Sequence, residues 1–170
     1  MDSNIIAFAI KAHHDTNHMY DGKPYSIHLA LTVCYAQKYI NLIPENYQND
    51  IISACWLHDT IEDTRHSYND IKNISNAYIA DVVYAVTNEK GKTRKERANS
   101  KYYEGIKMVP FAKFVKMCDR LANVKYSVDT NSRMKEMYKK ENEYFIKLLF
   151  SKDNVYETMI NELNSLLQIN

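Results

Sequence analysis

His58 and Asp59 close an apolar run that begins Ile51-Ile52 and ends Cys55-Trp56-Leu57, and both side chains can bind a metal. Burying a polar group without a partner costs about 2–7 kcal/mol, and a carboxylate costs more. A shared divalent cation removes that cost. His28 and Asp119 extend the pair to a set of four ligands, drawn from three predicted helices. Asp119 falls on the core face of its helix by spacing with Val115 and Ala122. The competing reading pairs it with Lys116 or Arg120. Imidazole with carboxylate suits manganese, iron, zinc or magnesium, and no thiolate selects for zinc. Four protein ligands leave room for water, whose pKa a metal lowers, and a hydrolase needs that arrangement. Glu62 and Asp63 follow Asp59 by three and four residues. On a continuing helix they come one turn further along, near the same face. There one carboxylate can deprotonate water and the other can assist the leaving group. The bland alternative is a solvated acidic helix end.

The elements that must position these residues are helical. With only three Gly and three Pro in 170 residues, breakers are scarce, which favours an all-α fold of about eight to ten helices. The length suits a single domain over residues 1–170. A first helix is expected from about Ser3 to His18, with Ile6, Ala9, Ile10 and His13 toward the core. "YDGKPYS" reads as a loop, with Asp21-Gly22 as its turn. Ser26 is expected to cap a second helix through about Ile40, and a third carries "NDIISACWLHDTIED" unbroken. Ser67 and Ser75 offer further caps, and Pro110 opens another helix. Two long C-terminal helices are expected, Ser132–Phe150 and Asp153–Leu167, the last packing over about 153–168. No strand pair stands out. His13 and His14 read as packing or solvated groups.

A net charge of +1 argues against bulk electrostatic binding of nucleic acid or an acidic membrane. No apolar run reaches the length of a membrane span. The N-terminus lacks a secretory pattern. Cys34, Cys55 and Cys118 form no CxxC pair, so reduced thiols in a cytoplasmic protein are expected. A local cationic cluster does exist: Lys90, Lys92, Arg94, Lys95, Arg97 and Lys101. Lys92, Lys95 and Arg94, near Gly91, are best placed for phosphates. Lys23, Lys116 and Arg120 compete with them, and a solvated charged helix is the alternative for the whole run.

Three blocks, "AHHDTNHMYDGKPYSIH", "LHDTIEDT" and "KMCDRLANVKYS", resemble in this order the motif blocks of the HD-domain phosphohydrolases. They are most similar to the RelA/SpoT-type branch with its small single-domain alarmone hydrolases. The resemblance spans roughly residues 5–150. It implies an HD-type helical bundle, with manganese held by His28, His58, Asp59 and Asp119. It implies Glu62 and Asp63 as the catalytic carboxylates, and Asn123 and Tyr144 as nucleotide contacts. The activity implied is removal of pyrophosphate from the 3′ position of guanosine tetra- and pentaphosphate. The chain departs from the pattern at His18, Met19 and Tyr20, where the family carries Arg or Lys, and at Leu29, where it carries Pro. Met19 or Tyr20 can still stack on a base. A related nucleotide, such as an adenosine alarmone or an NADPH-like phosphate, is the close alternative substrate. A catalytically inactive nucleotide sensor and a helical interaction module are the alternatives of other classes. The expected partner is a small nucleotide, with no nucleic acid and no membrane, and self-association is left open.

Overall fold

The computed structural model describes residues 2–151 and 153–169, so residues 1, 152 and 170 of the expected 1–170 domain lie outside the described residues. The helices are α1 (Ser3–Asp15), α2 (Ser26–Lys38), α3 (Glu45–Leu57), α4 (Thr60–Asp63), α5 (Tyr68–Ile74) and α6 (Ala77–Val86). They continue as α7 (Arg94–Arg97), α8 (Ser100–Met108), α9 (Ala112–Asp129), α10 (Met134–Phe150) and α11 (Glu157–Leu167). Nine of these have seven residues or more and two are single turns, so the all-α expectation holds among the described residues.

The core is organised around α9. Its Phe114, Val115, Met117, Cys118, Leu121, Ala122 and Val124 are all buried, because neighbours cover it on several sides. α3 packs against both α2 and α6, all three pack against α9, and α10 and α11 pack against α9 and each other. A polar residue on α9 facing this interior therefore has to find its partner within the protein. Lys116, Asp119 and Arg120 are three such residues.

Several local expectations need correction. α1 stops at Asp15 rather than His18, because Asn17 takes a left-handed conformation (φ 56°) that turns the chain. Its buried residues are Ile5, Ala9, Ala12 and His13, whereas Ile10 is exposed, so the core stripe is rotated from the expected one. The "YDGKPYS" loop contains a small antiparallel hairpin, β1 (Met19–Tyr20) and β2 (Lys23–Pro24), which pairs Met19 with Pro24 and Tyr20 with Lys23. Asp21 and Gly22 both have positive φ, 52° and 73°, as a two-residue hairpin turn whose twist matches its strands requires. Ser26 is the first helical residue of α2 and not its cap; Tyr25 precedes it without a side-chain cap bond.

The third predicted helix is interrupted at His58-Asp59, so α4 is a separate turn linked by the Asp63 N–H to the Asp59 carbonyl at 2.9 Å. The Ser67 cap is present as a capping box with Asp70. For α6 the cap is Asn76, whose Oδ1 accepts from the Ile79 N–H at 2.8 Å, and not Ser75. Ser75 instead donates to the Ile71 carbonyl and closes α5. α9 begins at Ala112, after Phe111 in a left-handed conformation, rather than at Pro110. The C-terminal helices begin at Met134 and Glu157, each later than expected, the latter after a 3-10 turn at Asn154–Tyr156. No described helix is long and apolar enough to cross a membrane.

Candidate metal centre and active site

The helical layout brings four polar side chains to one buried point. His28 comes from the start of α2, His58 and Asp59 from the break after α3, and Asp119 from the middle of α9. The Nε2 atoms of His28 and His58 are 3.1 Å apart. Asp59 Oδ2 lies 3.0 Å from His58 Nε2 and 3.3 Å from His28 Nε2. Asp119 Oδ1 lies 3.3 Å from His28 Nε2 and 3.7 Å from His58 Nε2. Potential ligand atoms of His28, His58 and Asp119 all fall within 4.8 Å of one another.

One hydrogen bond decides the state of His58. Its Nδ1 is 2.9 Å from the Cys55 carbonyl oxygen, which can only accept, so Nδ1 carries the proton. Nε2 is thereby the nitrogen turned toward the cluster, and with a cation there the ring would be neutral and offer that nitrogen's lone pair. Burial opposes charge on all four groups, yet mutual attraction wins. Asp59 and Asp119 raise the pKa of both histidines, His58 and His28 hold the Asp59 carboxyl well below the usual range, and Lys116 with the histidines does the same for Asp119. Two ionised carboxylates in this interior demand positive charge. Two imidazole nitrogens and two carboxylates around one point are a donor set that fits a divalent cation.

Each carboxylate is also held from outside the cluster. The Lys116 ammonium donates to Asp119 Oδ2 at 2.8 Å, and Asn123 Nδ2 donates to Asp119 Oδ1 at 2.6 Å. The competing reading of Asp119 as a partner of Lys116 is thus also realised, since one oxygen serves the lysine and the other faces the histidines. Asp59 Oδ2 accepts from the Tyr25 hydroxyl.

Glu62 and Asp63 stand beside this centre on α4, in different environments. Asn88 holds both oxygens of Glu62, through its backbone N–H at 3.0 Å and its Nδ2 at 2.8 Å. Asp63 has no such donor among the described residues, His18 Nδ1 lying 3.9 Å from its Oδ2. Burial, with Asp59 and Glu62 nearby, pushes its pKa up to about 7. A carboxyl poised there can exchange a proton near neutral pH.

A cleft of about 190 Å³ opens over Asp59, Glu62, Asp63 and Asp119. Its other wall carries Arg94, Arg97, Lys116 and Arg120. Glu141 ties two of them together, accepting from Arg94 Nε at 2.7 Å and Arg120 Nη1 at 3.1 Å. The Arg120 guanidinium also lies 4.5 Å from the Phe145 ring centre. Of the three residues near Gly91 expected to reach phosphates, only Arg94 lines the cleft; Lys92 and Lys95 do not. The reason is local. A capping box between Thr93 and Glu96 starts α7 and sets Arg94 and Arg97 three residues apart on one face, as the helix period requires.

Asn123 and Lys116 line the cleft as expected, although Asn123 is committed to Asp119. Three other expected contacts lie outside its lining. Met19 is half exposed, Lys23 donates to the Tyr126 hydroxyl at 3.2 Å, and Tyr144 is exposed against Tyr103. Tyr25, Asn88, Tyr102, Tyr103 and Tyr138 line the cleft without having been singled out in the sequence. Tyr25 lay within the first motif block. Asn88 carried no local signal, because its role exists only in contact with Glu62.

Comparison with known proteins gives four matches. A family model described as MecA, negative regulator of genetic competence, matches residues 11–168. The guanosine-3′,5′-bis(diphosphate) 3′-pyrophosphohydrolase MESH1 of Danio rerio is 32% identical over 76 residues, covering 45% of this chain and 42% of that protein. The protein of the same name from Drosophila melanogaster is 26% identical over 111 residues, covering 65% of this chain and 62% of that protein. The chain thus spans less than two thirds of the curated relatives it matches. A solved structure described as a metazoan ortholog of SpoT that hydrolyzes ppGpp superposes with a TM-score of 0.70 at 18% identity, covering 97% of this chain and 96% of that one. The fold, with its ordered His, His-Asp and Asp motif residues, is that of the HD class, and by the extent of the matched model the chain belongs to the MecA family.

Proposed function

We propose that the chain is a metal-dependent hydrolase that removes the 3′-diphosphate from guanosine tetraphosphate- or pentaphosphate-type nucleotides and releases pyrophosphate. The observation that carries this reading is the convergence of His28, His58, Asp59 and Asp119 beside Glu62 and Asp63, under a wall of arginines. The names of the two curated relatives support the substrate class. His28, His58, Asp59 and Asp119 would hold one divalent cation, manganese by the family resemblance. Such an ion, when bound, acidifies water and neutralises charge on a phosphate oxygen.

The remaining work falls to the protein. Asp63, whose carboxyl burial pushes upward, accepts the proton of the water that attacks phosphorus as the bond to the 3′-oxygen breaks, and that proton is then available to the departing 3′-oxygen. Glu62, fixed by Asn88, accepts a hydrogen bond that orients that water. Arg94, Arg97 and Arg120 offer planar forks that match phosphate oxygens, and Lys116 adds a point charge next to Asp119. The three free cysteines suit the reducing cytoplasm, where such nucleotides are met.

The matched family description favours a second reading, a regulator that acts by binding. That reading leaves two ionised carboxylates converging on two buried histidines without a purpose. One experiment separates the two. Chelator-stripped protein, reloaded with manganese, is incubated with guanosine and adenosine 3′,5′-bis(diphosphates) and with NADPH, and released pyrophosphate and phosphate are measured. The hydrolase reading expects pyrophosphate from a bis(diphosphate), lost in Asp59→Asn and Glu62→Gln. Turnover that survives both substitutions would overturn the assigned site. Absence of both turnover and manganese uptake would overturn the hydrolase reading.

A further inference from the structure

The hairpin that the sequence did not announce reaches into the metal centre. The Tyr20 hydroxyl donates to Asn123 Oδ1 at 3.0 Å, across 103 residues of sequence. The opposite end of the same amide, Nδ2, donates to Asp119 Oδ1 at 2.6 Å and to the Asp119 carbonyl at 3.1 Å. The carboxylate requires the NH2 end, so the carbonyl end must find a donor, and Tyr20 supplies it. The Tyr20 ring also stacks on the His28 imidazole, with centroids 4.9 Å apart at 28°. That contact matters because His28 Nδ1 is buried without a hydrogen-bond partner among the described residues, so no second hydrogen bond from them orients the ring. The hairpin itself is anchored on α9, where the Tyr126 hydroxyl donates to Asp21 Oδ2 at 3.1 Å and accepts from Lys23 Nζ at 3.2 Å.

We propose that Tyr20 is a positioning residue for the metal centre, holding Asp119 through the Asn123 amide and the His28 ring by stacking. This rests on the reading of His28, His58, Asp59 and Asp119 as metal ligands. Outer groups that orient ligands typically contribute about 10- to 100-fold in metal affinity. Tyr20 thus fills a role that Asn123 alone cannot, because an amide with an unpaired carbonyl end is free to rotate away from the carboxylate.

The test is calorimetric titration of chelator-stripped protein with manganese chloride alone, so it does not depend on turnover. Wild type, Tyr20→Phe, Asn123→Ala and the double variant are compared. Tyr20→Phe keeps the ring and its stacking and loses one hydroxyl, and helical circular dichroism checks that each variant is folded. The expected result is binding by wild type, with affinity about 10-fold weaker or worse in Tyr20→Phe. Asn123→Ala should lose at least as much, and the double variant should be no weaker than Asn123→Ala alone. Equal affinities for wild type and Tyr20→Phe would overturn the positioning role while leaving the metal centre intact. Additive losses in the double variant would overturn the route through Asn123. Wild type that takes up no manganese would overturn the metal centre and this inference with it.

Discussion

His28 and His58 meet through their Nε2 atoms at 3.1 Å, although 30 residues separate them and each is 1% exposed. Two buried imidazole nitrogens this close could share one ion, and such an ion would stabilise the folded state.

Manganese added to stripped protein should raise the thermal midpoint. A ligand at 100 times its dissociation constant stabilises the folded state by about 2.7 kcal/mol. For a chain of this size that corresponds to about 5–10 °C. Differential scanning calorimetry with chelator and then with manganese reads the shift, and Asp119→Ala should abolish it.

Asp63 predicts a pH dependence with a defined sign. Acting as a base, it works when deprotonated, so activity should rise with pH as this carboxyl, raised by burial, ionises. Asp63→Asn should remove that limb and lower kcat by about 10²- to 10⁴-fold. Stability runs the other way. The pKa is raised above its unfolded value of 3.8, so the favourable contribution is complete below about pH 4 and is lost as pH rises toward 7. Metal-free Asp63→Asn should therefore gain stability over wild type at pH 8 and not at pH 4, as read by urea denaturation at the two values.

Lys116 and Asp119 form an ion pair at 2.8 Å within the largely buried centre. Lys116→Met should destabilise the metal-free protein by about 3 kcal/mol, because the carboxylate loses its counter-charge. Adding Asp119→Asn should recover part of that loss. Thermal denaturation of the two variants checks both statements.

The orientation of α7 predicts which cations matter. Arg94→Ala and Arg97→Ala should each lower kcat/KM by about 10-fold or more, since a hydrogen bond to a charged group contributes about 1.5–3 kcal/mol. Lys92→Ala and Lys95→Ala, outside the cleft lining, should change it little. Steady-state kinetics on the four variants separates the pairs.

The cap of α6 makes a purely structural prediction. Asn76→Ala should cost about 1 kcal/mol through loss of the bond to the Ile79 N–H, and Ser75→Ala less. Chemical denaturation distinguishes them.

The helical class and the four converging polar side chains were legible in the chain, since scarce breakers and polar groups set in apolar runs leave local marks. The cost of burying His58, Asp59 and Asp119 unpaired makes their position in the pattern informative before any fold is known. Glu62 and Asp63 were legible as a pair, but not as two different groups. What separates them is Asn88, 26 residues away, which holds one carboxylate and leaves the other free to titrate.

The rest depended on the rotation of one element against another. Six cations lie in the run from Lys90 to Lys101 and look alike in sequence, but the capping box that starts α7 turns Arg94 and Arg97 into the cleft. Asn123 reads as a nucleotide contact from its motif, yet the fold places Tyr20 at one end of its amide and Asp119 at the other. The sequence by itself determined the helices and the chemistry of the ligand set, because both follow from local composition and burial cost. Only the tertiary structure decided which groups orient, charge or free those ligands. Hydrogen bonds reach about 3 Å, and partners far apart in the chain come that close only once the helices are packed.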